Sequence, residues 1–142
     1  MPGTSHGHER GGRVRAVWWR WAAVAAYMLA IFTESSRSSL PALPGQPSDK
    51  LLHFAAYAVL SALVIWAWTR GRWRLTTGRT VLAAALVCAL YGTTDEIHQR
   101  FVPDRNADPA DVAADALGGL TAGAAVWAWG IIPRKRDRHD AV

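Results

Sequence analysis

Residues 51–69 read LLHFAAYAVLSALVIWAWT, a run in which His53 is the one strongly polar member. From Ala58 to Trp68 every residue is apolar or small, so a helix built on this run has no polar face to turn toward water. Crossing about 30 Å of hydrocarbon takes roughly 20 helical residues, and the run has that length. A soluble four-helix bundle, the competing architecture, would carry a polar face along each of its helices. The run is therefore read as a transmembrane helix.

Three further blocks share its character. Residues 16–33 are apolar except for Arg20, and residues 112–132 are interrupted only by Asp115. Residues 80–94 are shorter, but a helix continuing through Asp95 to Gln99 reaches bilayer length. The expectation is an all-α integral membrane bundle of four spans, at about 16–33, 51–69, 80–99 and 110–132, within a domain covering 16–133. A disordered basic tail at 1–15 and a basic tail at 134–142 flank it. The alternating ten-residue segments of a membrane β-barrel are absent. A cleaved signal peptide is the rival reading of the first block, but no convincing small-x-small cleavage site follows Thr33.

The 142-residue chain holds 16 Lys and Arg against 11 Asp and Glu, a net charge of +5, and these charges lie mostly between the blocks. Residues 10–20, 70–79 and 134–140, with Glu9, hold twelve bases and three acids. The remainder holds four bases (Arg37, Lys50, Arg100, Arg105) and eight acids (Glu34, Asp49, Asp95, Glu96, Asp104, Asp108, Asp111, Asp115). Under the positive-inside bias the basic regions face the cytoplasm, so both termini lie inside and the protein is a multi-pass plasma-membrane protein. The eight tryptophans all fall near the ends of spans on that side, as an interfacial aromatic belt does. A nucleic-acid partner is excluded as an expectation, because the arginines are spread over short tails and one tight link and build no basic reading face.

The acidic minority occupies the opposite ends of the spans. In the second span Asp49, His53 and Tyr57 recur at i, i+4, i+8 beside Lys50, along one helical face. In the third, Tyr91, Thr94, Asp95, His98 and Gln99 form a stripe with Glu96 beside it, and Asp108, Asp111 and Asp115 form one at the start of the fourth. An ionised side chain at the centre of a membrane helix costs about 2.5–3.5 kcal/mol on insertion scales, less near an interface. That cost favours pairing Asp95 and Asp115 with Lys50, His53 or Arg105 over exposing them to lipid. A purely structural salt-bridge network is one account of the cluster, and a binding or catalytic site is the other.

Residues 101–109, FVPDRNADP, form a constrained turn with Arg105 at its centre, a fork donor suited to carboxylate or phosphate. Eight acids within reach of two histidines permit a divalent cation, but no spacing here matches a defined metal motif, so no metal ligand and no cofactor is assigned. Ser48 is expected to cap the second span, and the 34–48 link, with three prolines, to be irregular. Gly119 and Gly123 form a GxxxG suited to close helix packing, more plausibly within the chain than between chains, and the oligomeric state is left open. The lone Cys88 excludes an internal disulfide.

DKLLHFAAYAVLSAL at 49–63 and YGTTDEIHQRFVPDRNADPADVAADALGG at 91–119, on a four-span layout, resemble the VanZ-like membrane proteins over roughly residues 16–130. The matching positions are Asp49, Lys50, His53, Phe54, Tyr57, Asp95, Glu96, Gln99, Phe101, Pro103, Arg105, Asp108, Asp111 and Gly118. Asp115 departs from the pattern, since family members commonly carry Asn there. The resemblance implies a bacterial envelope protein, and the family's namesake is associated with resistance to the glycopeptide teicoplanin.

Two functional readings follow. In the first, the outer cluster binds a lipid headgroup, a cell-wall precursor or a glycopeptide without catalysis, through Asp49, Lys50, His53, Tyr57, Asp95, Glu96, Gln99, Arg105, Asp108, Asp111 and Asp115. In the second, the protein is an intramembrane enzyme on a lipid-linked substrate, with Asp95 or His53 as general base and Arg105 stabilising developing charge. The first is preferred, because no nucleophile with a partnered base is visible.

Overall fold

A computed structural model describes residues 6–38 and 48–131. Four helices follow one another: α1 His6–Ser35, α2 Asp49–Trp68, α3 Gly78–Gln99 and α4 Pro109–Ile131, with one 3-10 turn, Trp73–Leu75, between α2 and α3. No strand occurs among the described residues. α1 starts at His6, ten residues before the first apolar block, so most of the segment expected to be a disordered tail is helical. Backbone helix bonds need no apolar side chain, and the Gly- and Arg-rich sequence upstream hides the helix from a reading based on hydropathy. Residues 1–5, the 39–47 part of the proline-rich link and the basic tail at 134–142 lie outside the described residues.

The termini of the helices are set by local chemistry. Ser48 caps α2, its side chain accepting from the Leu51 amide at 3.3 Å, and Asp49 stands in the first turn against the helix dipole. The other end closes with a Schellman pair, Gly71 N–H to Trp66 O at 2.8 Å and Arg70 N–H to Ala67 O at 3.2 Å. Arg70, at φ 56°, holds the left-handed position that glycine normally takes. Thr77 caps α3 through the Thr80 amide, at 3.3 Å. At α4, Pro109 begins the helix and Asp108 accepts from the Ala110 amide at 2.9 Å.

α2 is the centre of the bundle. α4 lies closely along both α2 and α3, and α1 leans on α2 with a lighter touch on α3. Close approach is made by glycines on α4. A Cβ on Gly118 would run into the backbone carbonyl of Phe54, one on Gly119 into Cys88, and one on Gly123 into Val81. Both members of the GxxxG thus pack within the chain. The core is Val24, Tyr57, Leu60, Val64, Ile65, Ala67, Ala84 and Cys88.

Much of the apolar surface faces outward: Leu82, Leu86, Leu90, Leu117, Trp129 and Ile131 are all exposed. α2 and α3 are long and apolar enough to cross a membrane, with only 39% and 33% of their most apolar windows buried in the bundle. The core helix of a soluble protein would be mostly buried, so these two helices have the distribution of lipid-facing ones. α1 and α4 are not among the helices that reach that apolarity over the described residues.

The contacts fix which ends meet. Trp19 of α1 lies edge-on to Trp66 of α2 with ring centroids 4.8 Å apart, and Trp21 meets Trp68 at 6.5 Å. The Arg20 guanidinium sits over the Trp19 and Trp66 rings at 5.1 and 5.6 Å. The end of α1, the start of α2, the end of α3 and the start of α4 gather at the opposite pole. Successive helices therefore run up and down, with tryptophans at one pole and acids at the other.

Candidate functional site

The acidic pole is organised as two linked networks. The first runs through a cleft between α1, α2 and α3. Arg105, in the turn before α4, donates to Gln99 Oε1 at 2.9 Å, and Gln99 Nε2 donates to Asp95 Oδ2 at 3.2 Å. Ser35, in the last turn of α1, donates to the other Asp95 oxygen at 2.5 Å. Asp95 is buried (3% exposed), and both of its oxygens have donors. Its partners are thus Ser35 and Gln99, not the Lys50, His53 or Arg105 expected from charge alone. Arg105 NH1 also stands 3.9 Å from Asp49 Oδ2.

The second network ties α2 to α4. His53 Nδ1 lies 3.0 Å from Asp115 Oδ1, and both residues are buried. Lys50 donates to Asp108 Oδ2 at 2.6 Å and to Asp111 Oδ1 at 3.3 Å. Glu96 of α3, also buried, takes the Asp108 amide on Oε2 at 2.7 Å, while its Oε1 has no hydrogen-bond partner and faces His53 Nε2 at 4.0 Å. Asp115 finds room because α3 carries Gly92 opposite it, where a Cβ would collide with the carboxylate. Asp108 lies outside the helices. Lys50 first, and then the Ala110 amide, hold its carboxyl below the ordinary value of 3.8.

The rest of the expected surface divides. The His53 and Tyr57 rings are parallel with centroids 6.3 Å apart, and Tyr57 is followed by Tyr91 at 6.2 Å. The Tyr57 hydroxyl is buried and without a partner, whereas Tyr91 donates to Met28 O at 2.6 Å. Thr94 bonds back to its own helix at Tyr91 O and is exposed, so it leaves the stripe. His98 turns to α1, 3.0 Å from Ser36 Oγ and tilted over Phe32. Asp49, His53 and Asp111 each bring one ligand atom within 4.8 Å of the others, a grouping that can hold a cation. Sequence spacing could not show it, because two members come from α2 and one from α4.

Between the networks opens a cleft of about 380 Å³, lined by Tyr27, Ala30, Ile31, Glu34, Ser35, Asp49, Leu52, His53, Ala56, Tyr57, Asp95, Gln99 and Arg105. Of its α1 members, Tyr27, Ala30, Ile31 and Ser35 are not singled out by the sequence. The stretch from Glu34 onward reads as loop, yet α1 continues to Ser35 and presents that hydroxyl to Asp95.

A family model described as VanZ/LLP1 matches residues 13–131. The chain belongs to the VanZ/LLP1 family. Among curated proteins, an uncharacterized protein of Schizosaccharomyces pombe is 28% identical over 100 residues, 70% of this chain and 59% of that protein. The chain thus matches less than two thirds of that relative's length. No solved structure matches the chain. The VanZ-like motif residues at 49–57 and 95–111 converge on the acidic pole: Asp49, His53, Tyr57, Asp95, Gln99 and Arg105 line the cleft, while Lys50, Glu96, Asp108 and Asp111 pair beside it, together with Asp115 outside the motif. Gly118 of the VanZ-like pattern is where α4 meets the α2 backbone.

Proposed function

We propose that this VanZ-like protein is a four-span, non-catalytic receptor in the bacterial plasma membrane, with both termini cytoplasmic, that holds the headgroup of an amphiphile at its acidic, extracytoplasmic pole. The observation that carries this reading is the two-sided lining of the cleft. Tyr27, Ile31, Leu52 and Ala56 make an apolar wall, while Arg105, His53, Glu34, Asp49 and Asp95 make a polar one. A ligand with an acyl chain and a charged head fits such a surface. Arg105 is the anion contact, for phosphate or carboxylate, and the neighbouring carboxylates suit an ammonium on the same head. Lys50, held by Asp108 and Asp111, braces the fold and leaves the anion to Arg105.

A volume near 380 Å³ takes a headgroup and part of a chain but not a whole glycopeptide. The link to teicoplanin resistance then runs through the state of the membrane or of a lipid-linked precursor. The enzyme reading has less support at Asp95, because Ser35 and Gln99 already donate to both of its oxygens.

Native mass spectrometry of the full chain, released from membranes in mild detergent, tests the proposal. A phosphate-bearing amphiphile is expected to stay bound to the wild type. Arg105→Gln, and Ile31→Trp, which fills the apolar wall, are expected to reduce retention by at least about tenfold, the loss of one charge-assisted contact. Equal retention in all three proteins would remove the cleft from consideration. Glycopeptide susceptibility in a host lacking its own copy, scored beside membrane abundance, tests the link to resistance.

A further inference from the structure

We propose that His53 and Glu96 form the core of a binding site for a divalent transition-metal cation, with Asp49 and Asp111 as the neighbouring carboxylates. The argument begins with Glu96. Its side chain is buried, 6% exposed, and one oxygen is anchored by the Asp108 amide. The anchored carboxylate directs its second oxygen, Oε1, at His53 Nε2 across 4.0 Å, and that oxygen has no hydrogen-bond partner. An unpaired buried carboxylate oxygen is costly. The gap is too wide for a hydrogen bond, but a cation about 2.0–2.2 Å from each atom bridges it.

The imidazole is prepared for that role. With Nδ1–H donating to Asp115 Oδ1 at 3.0 Å, the lone pair of His53 sits on Nε2, on the Glu96 side. Metal-binding histidines are commonly oriented by a carboxylate on the far nitrogen in this way. Two more carboxylates are at hand, since Asp49 and Asp111 each bring an oxygen to within 4.8 Å of the other and of a His53 ring nitrogen. One imidazole with carboxylates suits Zn²⁺ or Mn²⁺. Mg²⁺ and Ca²⁺ prefer oxygen alone. The site takes donors from α2, α3 and α4 and needs no part of α1, and it shares Asp49 and His53 with the lining of the cleft.

The test uses the full chain in detergent, stripped with chelator and returned to chelator-free buffer, in a His6→Ala/His8→Ala background that removes the imidazoles of the N-terminal segment. Zn²⁺ and Mn²⁺ are titrated separately, with bound metal counted by elemental analysis and the unfolding midpoint followed in parallel. One ion per chain and a rise in the midpoint are expected. Glu96→Gln, which keeps the size of the side chain, is expected to weaken binding by at least about tenfold. Asp111→Asn serves as the second variant should Glu96→Gln fail to fold. Substoichiometric metal in the parent, affinity unchanged in a folded variant, or a response to Ca²⁺ or Mg²⁺ alone would overturn the proposal.

Discussion

Asp115 shows how an acid is accommodated inside the bundle. Its carboxylate is fully buried, with Oδ1 on His53 Nδ1 and Oδ2 unpartnered. An amide in its place still offers an oxygen to the imidazole. Asp115→Asn is therefore expected to keep the unfolding midpoint and membrane abundance near wild type. Asp115→Leu strands a buried N–H of His53 and should cost about 1–3 kcal/mol, read from unfolding of the purified protein in detergent. Asp108 gives a pH signature. Its carboxyl is held below the ordinary 3.8 by Lys50 and the Ala110 amide, so its contribution to stability is complete above that value and is lost as pH falls through the lowered one. The unfolding midpoint should drop as pH falls below about 4, and Asp108→Asn, which keeps the helix cap, should flatten that segment of the profile.

Among the elements, α4 sets the geometry of the site through its small residues. Gly118 lies against the Phe54 carbonyl, so α4 approaches α2 closely enough for Asp115 to reach His53 and Asp111 to reach Lys50. Gly118→Ala places a methyl group against backbone that cannot give way. The expected cost is about 1–3 kcal/mol or more, with loss of both ion pairs. If abundance and unfolding midpoint are unchanged in Gly118→Ala, the close α2–α4 packing described here is wrong. α1 contributes differently: its last turn supplies Ser35 to Asp95, and Ser36, just past its end, meets His98, closing one wall of the cleft. It does so only because the helix outlasts its apolar stretch.

The whole molecule is polar along its long direction, with arginine and tryptophan at one pole and carboxylates with His53 and Arg105 at the other. In a membrane this becomes a topology. Single cysteines placed at Arg72, in the link between α2 and α3, and at Asn106, before α4, are expected to label with an impermeant thiol reagent from opposite faces in intact cells and vesicles. The native Cys88 is buried under Gly119 and should stay silent. Labelling of both positions from one face would rule out the alternating arrangement.

Much of this layout is legible without coordinates. α2, α3 and α4 begin and end within about two residues of stretches marked by apolarity, serine, threonine and proline, because capping and helix-length burial are local properties. The shared face of Asp49, His53 and Tyr57 follows from helical periodicity in the same way. α1 was legible only in part, since its upstream third has no hydropathy signal. The sequence by itself determined four helices, a basic and an acidic pole, and which residues populate the acidic one. Only the tertiary structure decided that Asp95 answers to Ser35 and Gln99, that Asp115 answers to His53, and that Glu96 directs an unpaired oxygen at the same imidazole. Those pairings depend on how far each helix is rotated and how closely it approaches its neighbours. Both are set by glycines at Gly92 and Gly118 meeting specific atoms on other helices, and no spacing along one chain segment encodes that.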